Sequence, residues 1–415
     1  MKTDVVIIGA GPGGTVCAQT LLKHNINCII IEKDEFPRYH IGESLTGGVG
    51  ELLKEFGLHR EMTKAKFPIK YGVKVYGEAE NTFWVPVKKR NPDGTLVDAN
   101  TWQVSRDKFD LILLNEARER GAKLINGKAL QILKSGDKLA GVQVEISDGS
   151  VIEINCKYVV DASGINTFCS QQGLTSKKNR GNYCNQIAVY SQLNGALFDD
   201  GKEIGNTLLF HKNKNHWAWF IPIDDQRVSV GIVSPSSYIK SKNESIDEFF
   251  QREIKEIHPE LYKRLKTAKI IEDVRKCSNY SYEIDKYHGN GFLCIGDAHR
   301  FIDPVFSFGV HFSVHEAKLA ANAIAEQSHN NKKCNDTMFN EYQTTCDLGM
   351  NAVQSLIDAF WNNPLGFAYC VHVKYKEDII NLFAGRVYDE VPSPGLIALR
   401  KINDKYTRKA ETLNN

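Results

Sequence analysis

The opening stretch constrains the fold more than any other. An apolar run, Asp4-Val5-Val6-Ile7-Ile8, breaks at Gly9-Ala10-Gly11-Pro12-Gly13-Gly14 and resumes with helical spacing from Thr15 to Leu22. Such a run reads as strand, tight turn and helix. Gly9 lets the chain turn sharply, Gly11 removes the side chain that would block a pyrophosphate, and Gly14 lets the helix pack on the strand. The helix N-terminus is then free to hold phosphates. A second apolar run, Asn27-Cys28-Ile29-Ile30-Ile31, ends in Glu32, a carboxylate placed where an adenosine ribose presents its hydroxyls. Strand, glycines, helix, strand and acid in that order predict a bound dinucleotide.

At 415 residues the chain is long for one core, and two intimately joined domains are expected. A net charge of +2 with no long basic tract argues against nucleic acid and acidic membrane surfaces as partners. The cluster Lys88-Lys89-Arg90, just before Asn91-Pro92-Asp93-Gly94, reads as a solvated turn. No run approaches the roughly 18 apolar residues that a membrane span requires, and the chain starts directly on a strand. A cytoplasmic protein is the expectation. Ten cysteines without a CxxC pair point to reduced, mostly buried thiols and not to a disulfide frame or a zinc site.

After Glu32, the loop Phe36 to Leu45 contains Arg38, a candidate phosphate or ring-edge contact whose alternative is a surface salt bridge. Glu43 or Ser44 is expected to cap the amphipathic helix from Gly48 to Phe56. Phe67 to Gly77 alternates as a strand with Thr82 to Val87 as its antiparallel partner, Lys70 and Lys74 sharing one face. From spacing alone, Lys70 reads as a solvated strand lysine. Arg106 opens a helix that runs to Arg120, and a hairpin turns at Ser135-Gly136-Asp137. Tyr158 to Asp161, followed by Ala162-Ser163-Gly164, returns to the first sheet. Alternating runs then suggest an antiparallel sheet in which Trp217-Ala218-Trp219 puts two rings on one face, either walling a pocket or filling an interface. A strand closes on Gly296-Asp297, and Asp303 to Val310 leads into a helix from His311 to about Glu326. His311 and His315 stand at zinc-pair spacing, but with no third candidate ligand nearby they read as core or interface histidines.

The expected architecture is therefore α/β. A Rossmann-like GxGxxG nucleotide-binding domain spans 1–180, with β insertions at about 67–105. An antiparallel β substrate domain spans 181–285, a return to the first domain 286–330, and a helical C-terminal region 331–415.

Together, the glycine turn, Glu32, Arg106, Asp161-Ala162-Ser163-Gly164 and Gly296-Asp297 resemble the FAD-dependent monooxygenases of the p-hydroxybenzoate hydroxylase type. Within that superfamily the chain resembles the flavin-dependent halogenases of phenols and pyrroles. Phe67-Pro68-Ile69-Lys70-Tyr71-Gly72 matches FxxKxG, Trp217-Ala218-Trp219-Phe220-Ile221-Pro222 matches WxWxIP, and Asp303 to Val310 matches the halide loop apart from Phe308, where relatives commonly carry a small residue.

The resemblance implies that FAD, as FADH2, reacts with O2 to give a flavin hydroperoxide, which oxidises chloride or bromide to hypohalous acid. It assigns FAD to Gly9, Gly11, Gly14, Glu32, Arg38, Glu43, Ser44, Arg106, Asp297, Gly309 and Val310, and halide to Phe308 and Gly309. Trp217, Trp219, Ile221 and Pro222 would screen the substrate from the flavin, and Lys70 would pass the halogen to an electron-rich phenol or pyrrole, free or bound to an acyl carrier protein. A lysine desolvated between two pockets suits that task, because burial lowers its pKa. A separate flavin reductase would supply the reduced cofactor. The competing readings are an aromatic hydroxylase, an isoprenoid-type flavin reductase, and a flavoprotein without catalysis.

Overall fold

A computed structural model describes residues 1–414 except 78–81, 92, 94, 137, 182, 279–280 and 330–334, with backbone alone for Arg90 and 408–414. Asp137 of the expected hairpin turn, and Pro92 and Gly94 of the expected solvated turn, lie outside the described residues.

The first sheet is organised around β1 (Val5–Ile8), buried along its whole length as a central parallel strand must be. On one side it pairs in parallel with β2 (Cys28–Glu32), on the other with β12 (Tyr158–Asp161). Beyond β2 come β9 (Lys123–Ser135), β10 (Lys138–Ile146) and β11 (Val151–Asn155); beyond β12 come β21 (Phe292–Cys294) and β20 (His288–Gly289). Helices α1 (Pro12–Lys23), α4 (Arg106–Glu119) and α9 (Gly309–His329) share one apolar core with this sheet.

The second sheet contains β13 (Gln186–Asn194), β14 (Thr207–Asn213), β15 (His216–Pro222) and β16 (Arg227–Pro235), extended by the short β17 (Lys269–Ile270) and β18 (Arg275–Ser278). It recruits β4 (Gly72–Tyr76) and β5 (Thr82–Pro86) from much earlier in the chain, β4 lying parallel to β14. Because side chains alternate across a strand, β15 divides its residues between two cores. Ala218 and Phe220 join Phe249, Phe250 and Leu261 under α6 (Ser236–Ser241), α7 (Ile246–Glu256) and α8 (Pro259–Leu265). Trp217, Trp219 and Ile221 join the opposite core, which is capped by α10 (Asn340–Asn362), α11 (Pro364–Tyr369), α12 (Lys376–Phe383) and α13 (Pro394–Asn414).

Smaller pieces complete the chain: α2 (Gly47–Glu55), α3 (His59–Lys64), α5 (Phe168–Gln171), β3 (Ile69–Lys70) paired with β8 (Thr101–Trp102), β6 (Lys88–Arg90) with β7 (Leu96–Asp98), and β19 (Tyr282–Glu283) with β22 (Arg300–Phe301).

Four local expectations are corrected. Thr46 caps α2 through Val49 N–H, so neither Glu43 nor Ser44 does. Lys88-Lys89-Arg90 is a strand, because the backbone of Leu96–Asp98 folds back to pair with it. Helix α9 begins at Gly309, ahead of His311, and continues to His329. The run from Phe67 to Gly77 is not one strand: it breaks at Tyr71, and Lys70 and Lys74 end up in different sheets.

Candidate active site

The glycine turn behaves as its spacing requires. Gly9 has φ +107°, and a Cβ there would lie 2.5 Å from Ala162 O, so the Asp161-Ala162-Ser163-Gly164 stretch packs against it. A Cβ on Gly14 would sit 1.9 Å from Gly9 O, which makes that glycine the condition for helix α1 to lie on β1. A Cβ on Gly11 meets only Arg38 Nη2, at 3.7 Å. The space before the N-terminus of α1 is thus open and bordered by a guanidinium, and the helix has no side-chain cap to occupy its free N–H groups. Glu32 Oε2 accepts Ala10 N–H at 2.8 Å, which holds that carboxylate beside the turn.

The next layer is a buried charge cluster. Arg106 grips Asp110 one helical turn on, with Nε–Oδ1 at 2.7 Å and Nη2–Oδ2 at 3.0 Å, and Arg38 reaches the same carboxylate at 3.2 Å. Arg106 Nη1 also donates to Ile41 O at 2.6 Å, tying helix α4 to the loop before α2. Asp297 lies across from Arg106. Burial, reinforced by Glu316, raises its carboxyl to about 7, with Arg106 opposing.

Segment 42–46 leads from this cluster to every other part of the site. Glu43 is buried, accepts Gly42 N–H at 3.0 Å and is pushed up by desolvation. Ser229 lies against Glu43, and its Oγ accepts Trp219 Nε1–H at 3.1 Å. Ser44 Oγ and Leu45 O both take hydrogen bonds from Lys70 Nζ, at 2.8 and 3.1 Å. Thr46 Oγ1 contacts His311 Nδ1 at 3.0 Å, on the first turn of α9.

Lys70 is only 3% exposed, contrary to the solvated lysine that spacing suggested. The reversal follows from the break at Tyr71: β3 pairs with β8, Lys70 opposite Thr101, and the side chain turns inward. Desolvation alone lowers its pKa to about 7, and it forms no ion pair among the described residues.

At the mouth of α9, Ser307 takes a left-handed turn (φ 60°) before Phe308 and Gly309. Asp303 anchors this loop, accepting Val305 N–H at 3.0 Å and the Gln186 and Trp361 side chains at 3.2 Å each. The Phe308 ring is buried edge-on to His311, while Gly309 is exposed and a Cβ on it meets no atom within 4 Å. Val310 is buried and approaches Gly42. Trp217 and Trp219 lie with ring centroids 5.9 Å apart, filling the interface between the second sheet and the C-terminal helices; Ile221 shares that core and Pro222 is buried beside it.

Comparison with known proteins decides the family. The FAD binding domain family matches residues 2–354. A 1H-pyrrole-2-carbonyl-(peptidyl-carrier protein) brominase from Pseudoalteromonas luteoviolacea is 35% identical over 408 residues, covering 98% of this chain and 97% of the relative. The chain belongs to the flavin-dependent halogenases. The corresponding chlorinase from Pseudomonas fluorescens is 32% identical, covering 93% of this chain and 89% of that protein. The solved structure of flavin-dependent brominase Bmp2 superposes with a TM-score of 0.91 at 34% identity, over 99% of this chain and 100% of that one.

This halogenase is an FAD enzyme, and the open cradle at Gly11 fits that cofactor. Of the residues expected at the flavin, Gly9, Gly11, Gly14 and Glu32 form the turn, Arg106, Glu43, Val310 and Asp297 cluster around the buried charges, and Arg38 joins the two by lying beside Gly11 and reaching Asp110. Ser44, next to Glu43, takes a hydrogen bond from Lys70. The same region contains groups that sequence reasoning passed over. Asp110 sits at the i+4 position from Arg106, a helical pairing that was readable. Thr207, Gln103 and Asn206 carry no such signal, since their partners lie more than 100 residues away.

Proposed function

We propose that this halogenase places chlorine or bromine on a pyrrole carried as a thioester on an acyl carrier protein, with Lys70 as the residue that delivers the halogen. The single observation behind this reading is the Lys70 amine, buried among uncharged acceptors and close to half-neutral near pH 7. The two relatives that span nearly the whole chain are both named for pyrrolyl carrier proteins.

The glycine turn and the N-terminus of α1 hold the FAD pyrophosphate, Arg38 contacts it, and Glu32 binds the ribose. Arg106 and Asp297 orient the rest of the cofactor. When bound and reduced, FAD supplies the oxygen activation that oxidises halide to hypohalous acid. The N–H groups of Phe308 and Gly309 bind the halide, because the first amides of a helix lack intrahelical acceptors. Trp217, Trp219, Ile221 and Pro222 form a wall that keeps the pyrrole from the flavin. Lys70 meets hypohalous acid in one of two ways. As a hydrogen-bond donor it polarises the acid, and the ring carbon takes the halogen while its proton leaves with the hydroxide as water. As an amine it forms a haloamine and releases water, after which the ring carbon takes the halogen and its proton returns to the lysine nitrogen.

An electron-rich ring is required because the halogen arrives as an electrophile. A separate reductase provides FADH2, and we place the enzyme in the cytoplasm; no described helix is long and apolar enough to cross a membrane. The test is intact mass spectrometry of a pyrrolyl carrier protein after incubation with enzyme, FADH2, O2 and either halide. A chlorine or bromine isotope pattern is expected. A gain of oxygen alone would make the enzyme a hydroxylase.

A further inference from the structure

The Lys70 amino group is held by a chain of buried neutral groups whose hydrogen-bond directions can be worked out. Gln103 Nε2 lies 3.0 Å from Gly205 O, which can only accept, so the nitrogen assignment is fixed. The same nitrogen donates to Thr207 Oγ1 at 2.8 Å. Thr207 Oγ1 is 2.8 Å from Ser44 Oγ, and Ser44 Oγ is 2.8 Å from Lys70 Nζ. Lysine, serine, threonine and glutamine are all buried.

We propose that Gln103, Thr207 and Ser44 act as a hydrogen-bond relay that fixes the Lys70 amino group and leaves one of its N–H bonds for the incoming oxidant. This rests on the reading of Lys70 as the residue that delivers the halogen, and it makes Ser44 and Thr207 positioning residues.

In the ammonium form, two N–H bonds go to Ser44 Oγ and Leu45 O and one remains. In the amine form, donation runs from Gln103 to Thr207 to Ser44 and into the Nζ lone pair; Leu45 O takes one N–H, and again one remains. The relay thus accommodates either protonation state by rotating two hydroxyls, with no heavy atom displaced. Thr101 Oγ1, opposite Lys70 in the ladder, and Gln103 Oε1 are buried without partners among the described residues, so the surroundings of Lys70 keep acceptor capacity not used by those residues.

The titratable groups on the surrounding elements include Glu43, Glu51, His59, Tyr71, Lys74, Glu203 and His211, and among the described residues none pairs with Lys70. Lys74 pairs with Glu203 at 3.7 Å, Glu43 accepts Gly42 N–H, and the His59 ring rests on Trp102. The relay is therefore the polar control on this lysine that the structure provides.

The experiment is the pH titration of the Lys70 Cε resonance in full-length enzyme carrying carbon-13 lysine, assigned by its loss in Lys70→Met, with FAD affinity measured on the same samples. Ser44 favours the ammonium, because accepting from a charged donor is stronger than donating to an amine. Ser44→Ala should lower the midpoint by about one pH unit, Thr207→Val by about half a unit, and Ser44→Thr should restore it. FAD affinity should stay within about twofold. A wild-type midpoint in both Ser44→Ala and Thr207→Val would overturn the relay, and a tenfold loss of FAD affinity in Ser44→Ala would make Ser44 a cofactor contact instead. Halogenation retained by Lys70→Ala would remove the catalytic use of the relay while leaving these midpoints as they are, so the two failures read differently.

Discussion

Lys70 and Lys74 lie four residues apart, yet the regions around them teach opposite lessons. Lys74 sits on β4 in the second sheet, partly exposed and paired with Glu203 at 3.7 Å. Lys70 sits on the two-residue β3, buried, with two neutral acceptors. What separates them is one switch of sheets at Tyr71. Asn206 Oδ1 accepts both Tyr71 N–H at 3.1 Å and Gly72 N–H at 3.0 Å, satisfying the two backbone groups that the break leaves without a ladder. Gly72 lets Trp84 and Val85 close over the bend, since a Cβ there would lie 2.3 Å from the Trp84 ring and 2.6 Å from Val85 O. A lysine on a continuous strand would be solvated, whereas the same residue ahead of a switch becomes a buried amine.

The contrast can be broken most forcefully at the bend. Gly72→Ala forces the Trp84 ring and the Val85 carbonyl apart and should cost about 3 kcal/mol, seen as a fall in the urea midpoint; a midpoint equal to wild type would mean the switch is loosely held.

A smaller net effect, of opposite sign, comes from replacing the buried charge. A pKa of about 7 in the fold against 10.5 outside it corresponds to roughly 4–5 kcal/mol of destabilisation. Between those values the unfolded chain binds the proton and the folded chain does not, so stability rises with pH. The cost is complete below pH 7 and is relieved as the pH approaches 10.5. Lys70→Met should therefore be more stable than wild type at about pH 6, by roughly 2 kcal/mol once the donor lost by Leu45 O is counted. The gap should close by about pH 9.5. A gap that widens with pH would show that Lys70 is not destabilised by its burial.

The smallest effect sharpens the same contrast from the other side. Lys74→Ala removes a partly exposed pair worth at most about 0.5 kcal/mol, and halogenation should stay within about twofold of wild type. A large loss of activity would place Lys74 in the site and dissolve the distinction.

How far the sequence could be read follows from how local each feature is. The cradle at Gly9, Gly11 and Gly14 depends on neighbours within a few residues, and its spacing carried the whole strand-turn-helix unit. Arg106 and Asp110 are one turn apart on a helix and were half-read, the acid being overlooked. The burial of Lys70 was invisible to spacing, since it depends on Asn206, 135 residues beyond Tyr71; only the FxxKxG resemblance raised that lysine above its neighbours. Ser44 was expected at the cofactor on the same resemblance, and its hydrogen bonds to Lys70 and Thr207 could not be foreseen because Thr207 lies 163 residues away. The expectation that Glu43 or Ser44 caps α2 fails for a related reason: three hydroxyl or carboxyl residues precede that helix, and the one that caps it, Thr46, is decided by where the chain turns to reach Lys70.

The central claim is that the oxidant is made at the flavin and delivered elsewhere, by Lys70. The most direct test supplies Lys70→Ala with FADH2, O2 and halide, together with a pyrrolyl carrier protein and a small scavenger of free hypohalous acid. The account predicts FAD binding and FADH2 consumption near wild-type levels, halogenated scavenger, and at least a hundredfold loss of halogenated pyrrole. Pyrrole halogenated at the wild-type rate would contradict it.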